Sequence, residues 1–125
     1  MKSNILLFDG ACNGLVDLED IDIAIREFII FINSYDDVET RGSCSGHPGF
    51  YQTQAYIYFK DTKNENFKKV LDLFEKIGFS VRKERDIGWW HVGIKLDNKN
   101  KKDITQKNIG DFWKYIKERF LEEMN

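Results

Sequence analysis

The sequence predicts an α+β domain, a four-stranded antiparallel or mixed sheet with packed helices in the order (α)-α-β-β-α-β-β-α. Three observations carry that expectation. Apolar residues recur at helical spacing in three long segments. Between those segments lie two pairs of short runs rich in β-branched and aromatic residues. Hairpins that alternate with helices build such a sheet, which buries one face under the helices.

Each element follows from its residues. Lys2 to Asn13 is ambiguous: Ile5, Leu6 and Phe8 fit a short helix capped by Gly14, and an extended arm fits nearly as well. From Asp17 the periodicity is clear. Asp17 is the expected N-cap, Glu19 and Asp20 favour the positive end of the dipole, and Ile21, Ile25, Phe28, Ile29 and Ile32 form the inward stripe. Val38 to Ser43 reads as a strand, and Gly46, Pro48 and Gly49 make Cys44 to Gln52 a loop. Gln54 to Phe59 is a strand whose alternation separates Ala55, Ile57 and Phe59 from Gln54, Tyr56 and Tyr58. After a polar turn from Asp61 or Thr62, a helix spans Glu65 to Ile77 with Gly78 as its C-cap. Phe79 to Arg85 and Trp89 to Leu96 form a hairpin, with Val92, Ile94 and Leu96 on one side and His91, Gly93 and Lys95 on the other. Asp97 to Asp103 is a solvated loop, and Thr105 to Glu123 is the last helix.

Composition narrows the function classes. A chain of 125 residues fits a single domain, 1–125, that folds without disulfides or a structural metal. At 42% hydrophobic residues it is not a disordered chain. Phe28 to Ile32 is the longest apolar run, so no membrane span is expected, and Asn4 and Asp9 bracket too short a stretch for a leader. A net charge of −2 argues against a general nucleic-acid binder. Cys12 and Cys44 make no disulfide framework, which suits a reducing cytoplasm.

Thr40-Arg41-Gly42-Ser43-Cys44-Ser45-Gly46-His47 concentrates the most chemistry. Its glycines permit close backbone approach, so successive N–H groups can form an anion-binding nest. Ser43 and Ser45 add donors and Arg41 a planar charged fork. The same letters also make an ordinary turn, with Cys44 packed as a small hydrophobe. Cys44 and His47 have a C-x-x-H spacing that Cys12 and His91 would have to complete, so no metal is expected. Nor does the sequence supply an evident carboxylate to orient His47 or His91 as a base for a Cys44 nucleophile.

Val16-Asp17, the helix ending in Phe31-Ile32-Asn33, the Thr40 to His47 segment and the Ala55 to Phe59 strand together resemble the wybutosine-synthesising tRNA methyltransferase family. The likeness covers the first half of the chain and implies a pocket lined by Ser43 to His47. It also implies S-adenosylmethionine as cofactor and methylation of a modified guanine in tRNA. His47 stands where that family has Arg, the chain is shorter, and its second half lacks the family's later motifs. No G-x-G-x-x-G follows a strand, so a Rossmann-type cofactor site is not expected.

Trp89-Trp90-His91 is the second place of interest, because adjacent Trp residues on a strand point to opposite faces. With helices on one face, Tyr56, Tyr58, Arg82, His91 and Lys95 line the other unless the last helix covers it. The expected function is binding of a nucleotide-like or other anionic small molecule. Thr40, Arg41, Ser43, Cys44, Ser45, Gly46 and His47 form the polar end, and Tyr56, Trp89, Trp90 and His91 an aromatic wall. A bacterial or viral protein that sequesters a nucleotide messenger fits this description. The alternatives are an S-adenosylmethionine-dependent enzyme and a protein-interaction module using the aromatic face. A symmetric dimer that shares the pocket is compatible with so small a domain.

Overall fold

A computed structural model describes residues 6–9, 14–17 and 22–124, the first two stretches as backbone. The chain runs β1 (Leu6–Asp9), β2 (Gly14–Asp17), α1 (Ile23–Ile32), β3 (Thr40–Cys44), β4 (Gln52–Lys60), α2 (Glu65–Ile77), β5 (Ser80–Glu84), β6 (Trp89–Asp97) and α3 (Gln106–Met124). β1 and β2 pair as an antiparallel hairpin, and β1 lies near β3. The main sheet has the order β3-β4-β6-β5, with every neighbouring pair antiparallel. The expected α+β class therefore holds, and the mixed alternative gives way to a fully antiparallel sheet.

The N-terminal segment corrects one reading: the small element ahead of α1 is a hairpin, not a helix, and Gly14 opens a strand instead of capping a helix. Asp17 sits in β2, so the N-cap of α1 is Asp22. Glu19, Asp20 and Ile21 lie outside the described residues, as do Ile5 and Cys12. α2 has the predicted bounds. Asn64 caps it by accepting from the Asn66 N–H at 2.7 Å, and Gly78, at φ +124°, closes it with N–H bonds back to Phe74 and Glu75. The Phe79 N–H also returns to the Phe74 carbonyl at 2.9 Å, completing a Schellman-type stop. Thr105 and Asn108 exchange side-chain and backbone bonds at 3.0 Å, a capping box at the start of α3.

All three helices pack on one face of the sheet. The buried layer joins Ala55, Ile57 and Phe59 of β4 and Val92 of β6 to Phe28 of α1, Phe74 of α2 and Trp113 and Phe120 of α3. Phe74 sits at its centre, with ring centroids 4.8 Å from Phe120, 4.9 Å from Phe79, 5.8 Å from Phe59 and 5.9 Å from Phe28. Tilted and edge-on pairs of this kind add to the hydrophobic gain of burying the rings. α3 lies against α1 and α2, so it does not cover the aromatic face, which stays open among the described residues. No helix of the described residues is long and apolar enough to cross a membrane.

Candidate functional site

The antiparallel register places the open face residue by residue, because directly paired residues share a face. One row reads Gly42, Tyr58, His91, Arg82 across β3, β4, β6 and β5; the next reads Cys44, Tyr56, Gly93, Ser80. Trp89 pairs with Lys60 on the same face. Tyr56 and His91 stack at 22° with centroids 5.9 Å apart, and Tyr58 meets His91 edge-on at 5.1 Å. Tyr58 also touches Tyr56 at 5.6 Å and Trp89 at 6.1 Å. These four rings are one half-buried patch at the centre of the open face.

Gly93 explains how His91 fits. A Cβ there would lie 2.6 Å from the His91 Cε1, so the imidazole rests on a position that only glycine leaves vacant. The His91 Nδ1 is buried with no hydrogen-bond partner among the described residues. Burial first, and then Arg82 nearby, hold this imidazole below the ordinary histidine range, with Glu84 opposing them. His91 is therefore held toward its neutral form at pH 7.

Trp90 departs from the expected wall. It pairs with Phe59, packs against the core on the helix face, and donates its indole N–H to the Asp61 carboxylate at 3.0 Å. Lys83 reaches the same carboxylate at 2.7 Å, and these two donors, Lys83 first, hold Asp61 below the usual carboxylate range. Strand alternation is the physical reason: Trp89 and Trp90 cannot share a face.

The Thr40–His47 segment divides the same way. Thr40 is buried, its N–H bonds the Asn33 Oδ1 at 3.0 Å and its Oγ1 accepts from the Asn33 Nδ2 at 3.0 Å. Ser43 pairs with Ile57, which directs it to the helix side. Ser45 is also buried. Its N–H and Oγ donate to the Asp22 Oδ2 at 3.0 and 3.1 Å, and its carbonyl accepts the Trp113 indole at 2.9 Å. The expected anion donors at Ser45 thus hold a carboxylate of the chain itself, tying α1 and α3 to the loop. Gly46, at φ +101°, sits against Thr53 and Leu96, and the Thr53 Oγ1 accepts the His47 N–H at 2.7 Å. Thr40, Ser43, Ser45 and Gly46 are accordingly framework residues.

Of the segment's other polar side chains, Cys44 shares the open face and Arg41 lies at its edge, while His47 follows in the exposed loop. The register shift between Thr40 and Gly42 is a bulge that sets Arg41 and Gly42 together against Tyr58. The Arg41 guanidinium pairs with Glu39 at 3.3 Å and its side chain is 14% exposed; Lys60 reaches the other oxygen of Glu39 at 3.9 Å. Cys44 faces out beside Tyr56, with its Sγ 3.5 Å from the His47 Nε2. At the opposite edge Arg82 pairs with Glu84 at 3.1 Å. Tyr58 lies on the open face, as its alternation with Tyr56 predicts, whereas Glu39 and Glu84, which hold the two guanidinium groups there, carry no sequence signal. The Asp22–Ser45 bond spans 23 residues and leaves no local signature.

Among the described residues no three His, Cys, Asp or Glu side chains gather as a metal site. No protein-family model, curated protein or solved structure matches this chain.

Proposed function

We propose that this protein is a ligand-binding domain that takes a nucleotide-like small molecule on the open face of its sheet. The observation that supports it is the row Gly42, Tyr58, His91, Arg82, with Arg41 next to Gly42 at the bulge, so that the aromatic surface has a guanidinium group near either edge. A base needs a flat partner, which Tyr56, Tyr58 and Trp89 provide without demanding one sequence of hydrogen-bonding groups. A phosphate needs a charged planar donor, and the arginines supply it. Glu39 and Glu84 hold those arginines in position before the ligand arrives, so less side-chain freedom is lost on binding. The reading moves the ligand from the Ser45 loop onto the sheet, with Cys44 and His47 at its border.

Calorimetric titration with mono- and cyclic nucleotides and with S-adenosylmethionine tests this. Tyr58→Ala should weaken nucleotide binding by about 10–100-fold, the range of one lost base stack. Arg82→Ala should weaken nucleotides more than the corresponding nucleosides. Absence of binding at millimolar nucleotide, or equal binding by Tyr58→Ala, would overturn the reading. Preference for S-adenosylmethionine over every nucleotide would move it to the methyltransferase alternative.

A further inference from the structure

The central strand β6 is longer than its neighbour on one side. β5 begins at Ser80, opposite Gly93, whereas β6 continues through Ile94, Lys95 and Leu96 to Asp97. Which backbone groups this overhang exposes follows from one bond. The Asn98 N–H donates to the Tyr51 carbonyl at 2.8 Å, so Asn98 and, by alternation, Leu96 and Ile94 bond toward β4. Lys95 and Asp97 then direct their N–H and C=O groups to the vacated side, where none has a backbone partner among the described residues. Along Ile94–Asp97 this edge carries no bulge and no proline, and Lys95 is its one basic side chain.

That edge forms one wall of a cleft of about 480 Å³. Its apolar lining comes from Ile94 and Leu96 of β6 and from Ile104 and Phe112, among polar side chains. Asn98, Lys99 and Asn100 also line it, together with Asn108. The Asn98 Oδ1 accepts the Asn100 N–H and the Asn108 Oδ1 the Thr105 N–H, both at 3.0 Å, which leaves their Nδ2 groups as the free polar ends. Lys95 and Lys99 add two positive charges against the one negative charge of Asp97.

We propose that this cleft is a strand-addition site for a short extended peptide from a partner protein, with apolar side chains on the cleft side and a carboxylate at the Lys99 end. An extended backbone supplies both the acceptors and the donors that Lys95 and Asp97 lack, which neither a lipid tail nor a simple anion does. Its alternate side chains meet the apolar lining on one face and Lys95 on the other, which selects a pattern of apolar and acidic residues. The carboxylate comes from an aspartate side chain or from a C-terminus; both accept from the asparagine and lysine donors.

The probe is a pentapeptide of alternating valine and aspartate, prepared with a free C-terminus, as the amide, with asparagine for aspartate, and with the valine amides N-methylated. Amide hydrogen exchange at Lys95 and Asp97 should be fast in the free protein and slow about tenfold at millimolar peptide. The N-methylated peptide should give no protection, and Lys99→Glu should weaken binding about tenfold. Loss of binding on amidation identifies the C-terminus as the carboxylate; loss with asparagine identifies the side chain. Lys95→Pro removes an N–H that bonds nothing, so it should fold and bind poorly, whereas Leu96→Pro should disrupt the sheet. No protection with any of the unmethylated peptides, or equal binding of the N-methylated form, would overturn the proposal. So would unchanged binding by a folded Lys95→Pro.

Discussion

Asp22 accepts both donors of Ser45, and this single carboxylate determines what the preceding strand can and cannot do. Charge-assisted bonds of this kind are the stronger sort, and removing the charge leaves two buried donors poorly satisfied. Asp22→Asn should therefore lower stability by about 2 kcal/mol in urea unfolding, with nucleotide affinity at Tyr58 unchanged. A loss of affinity without loss of stability would return the Ser45 loop to the ligand. His91 gives a second prediction. Its pKa is lower in the folded state than in the unfolded one, so between the two values the unfolded chain binds the extra proton. Its contribution is complete above about pH 6.5 and is lost as pH falls through the folded value. Stability measured from pH 7.5 to 5 should fall less steeply in His91→Phe than in the parent, and an unchanged slope would show that burial does not perturb this imidazole.

At the scale of elements, the stops and caps are as specific as the apolar stripes. Gly78→Ala places a Cβ at φ +124° and should cost about 1 kcal/mol in unfolding free energy, through the conformation alone since nothing crowds the position. Gly46→Ala should cost more in the same measurement, because its Cβ would also meet the Thr53 Cγ2 at 3.1 Å. Equal losses would show that Thr53 moves aside. These elements differ in how far they were legible in the sequence. α2, β4 and the β5–β6 hairpin follow from periodicity because each has a stripe and a turn residue at its ends. The N-terminal segment did not, since its short apolar run suits a helix or a strand equally, and only its pairing with β2 settles it. The start of α1 was misplaced because Asp17 and Asp22 both look like caps, and only the fold shows that Asp17 is already in a strand. The site was half legible. Alternation identifies Tyr56, Tyr58, Trp89 and His91 as one face, but no local pattern shows that Asp22 and Asn33 consume the polar groups of Ser45 and Thr40.

The whole molecule has one buried layer, to which all three helices and the sheet contribute. Trp113 belongs to that layer and also bonds the Ser45 carbonyl, so loss of tertiary packing and loss of the loop must coincide. Urea unfolding followed by tryptophan fluorescence and by far-ultraviolet circular dichroism should give superimposable curves; separated midpoints would reveal an independently melting part. The strand order also governs how the chain is made. β4 and β6 meet in the middle of the sheet, yet Gln52 and its partner Asp97 are 45 residues apart. The central ladder cannot close until α2 and β5 have been synthesised, and the core stays open until α3 delivers Trp113 and Phe120. During translation, therefore, the aromatic strand β4 leaves the ribosome long before it has a second neighbour. Until β6 follows, β4 has only β3 beside it, and an unpaired strand edge of this kind is where a nascent chain is prone to join another copy.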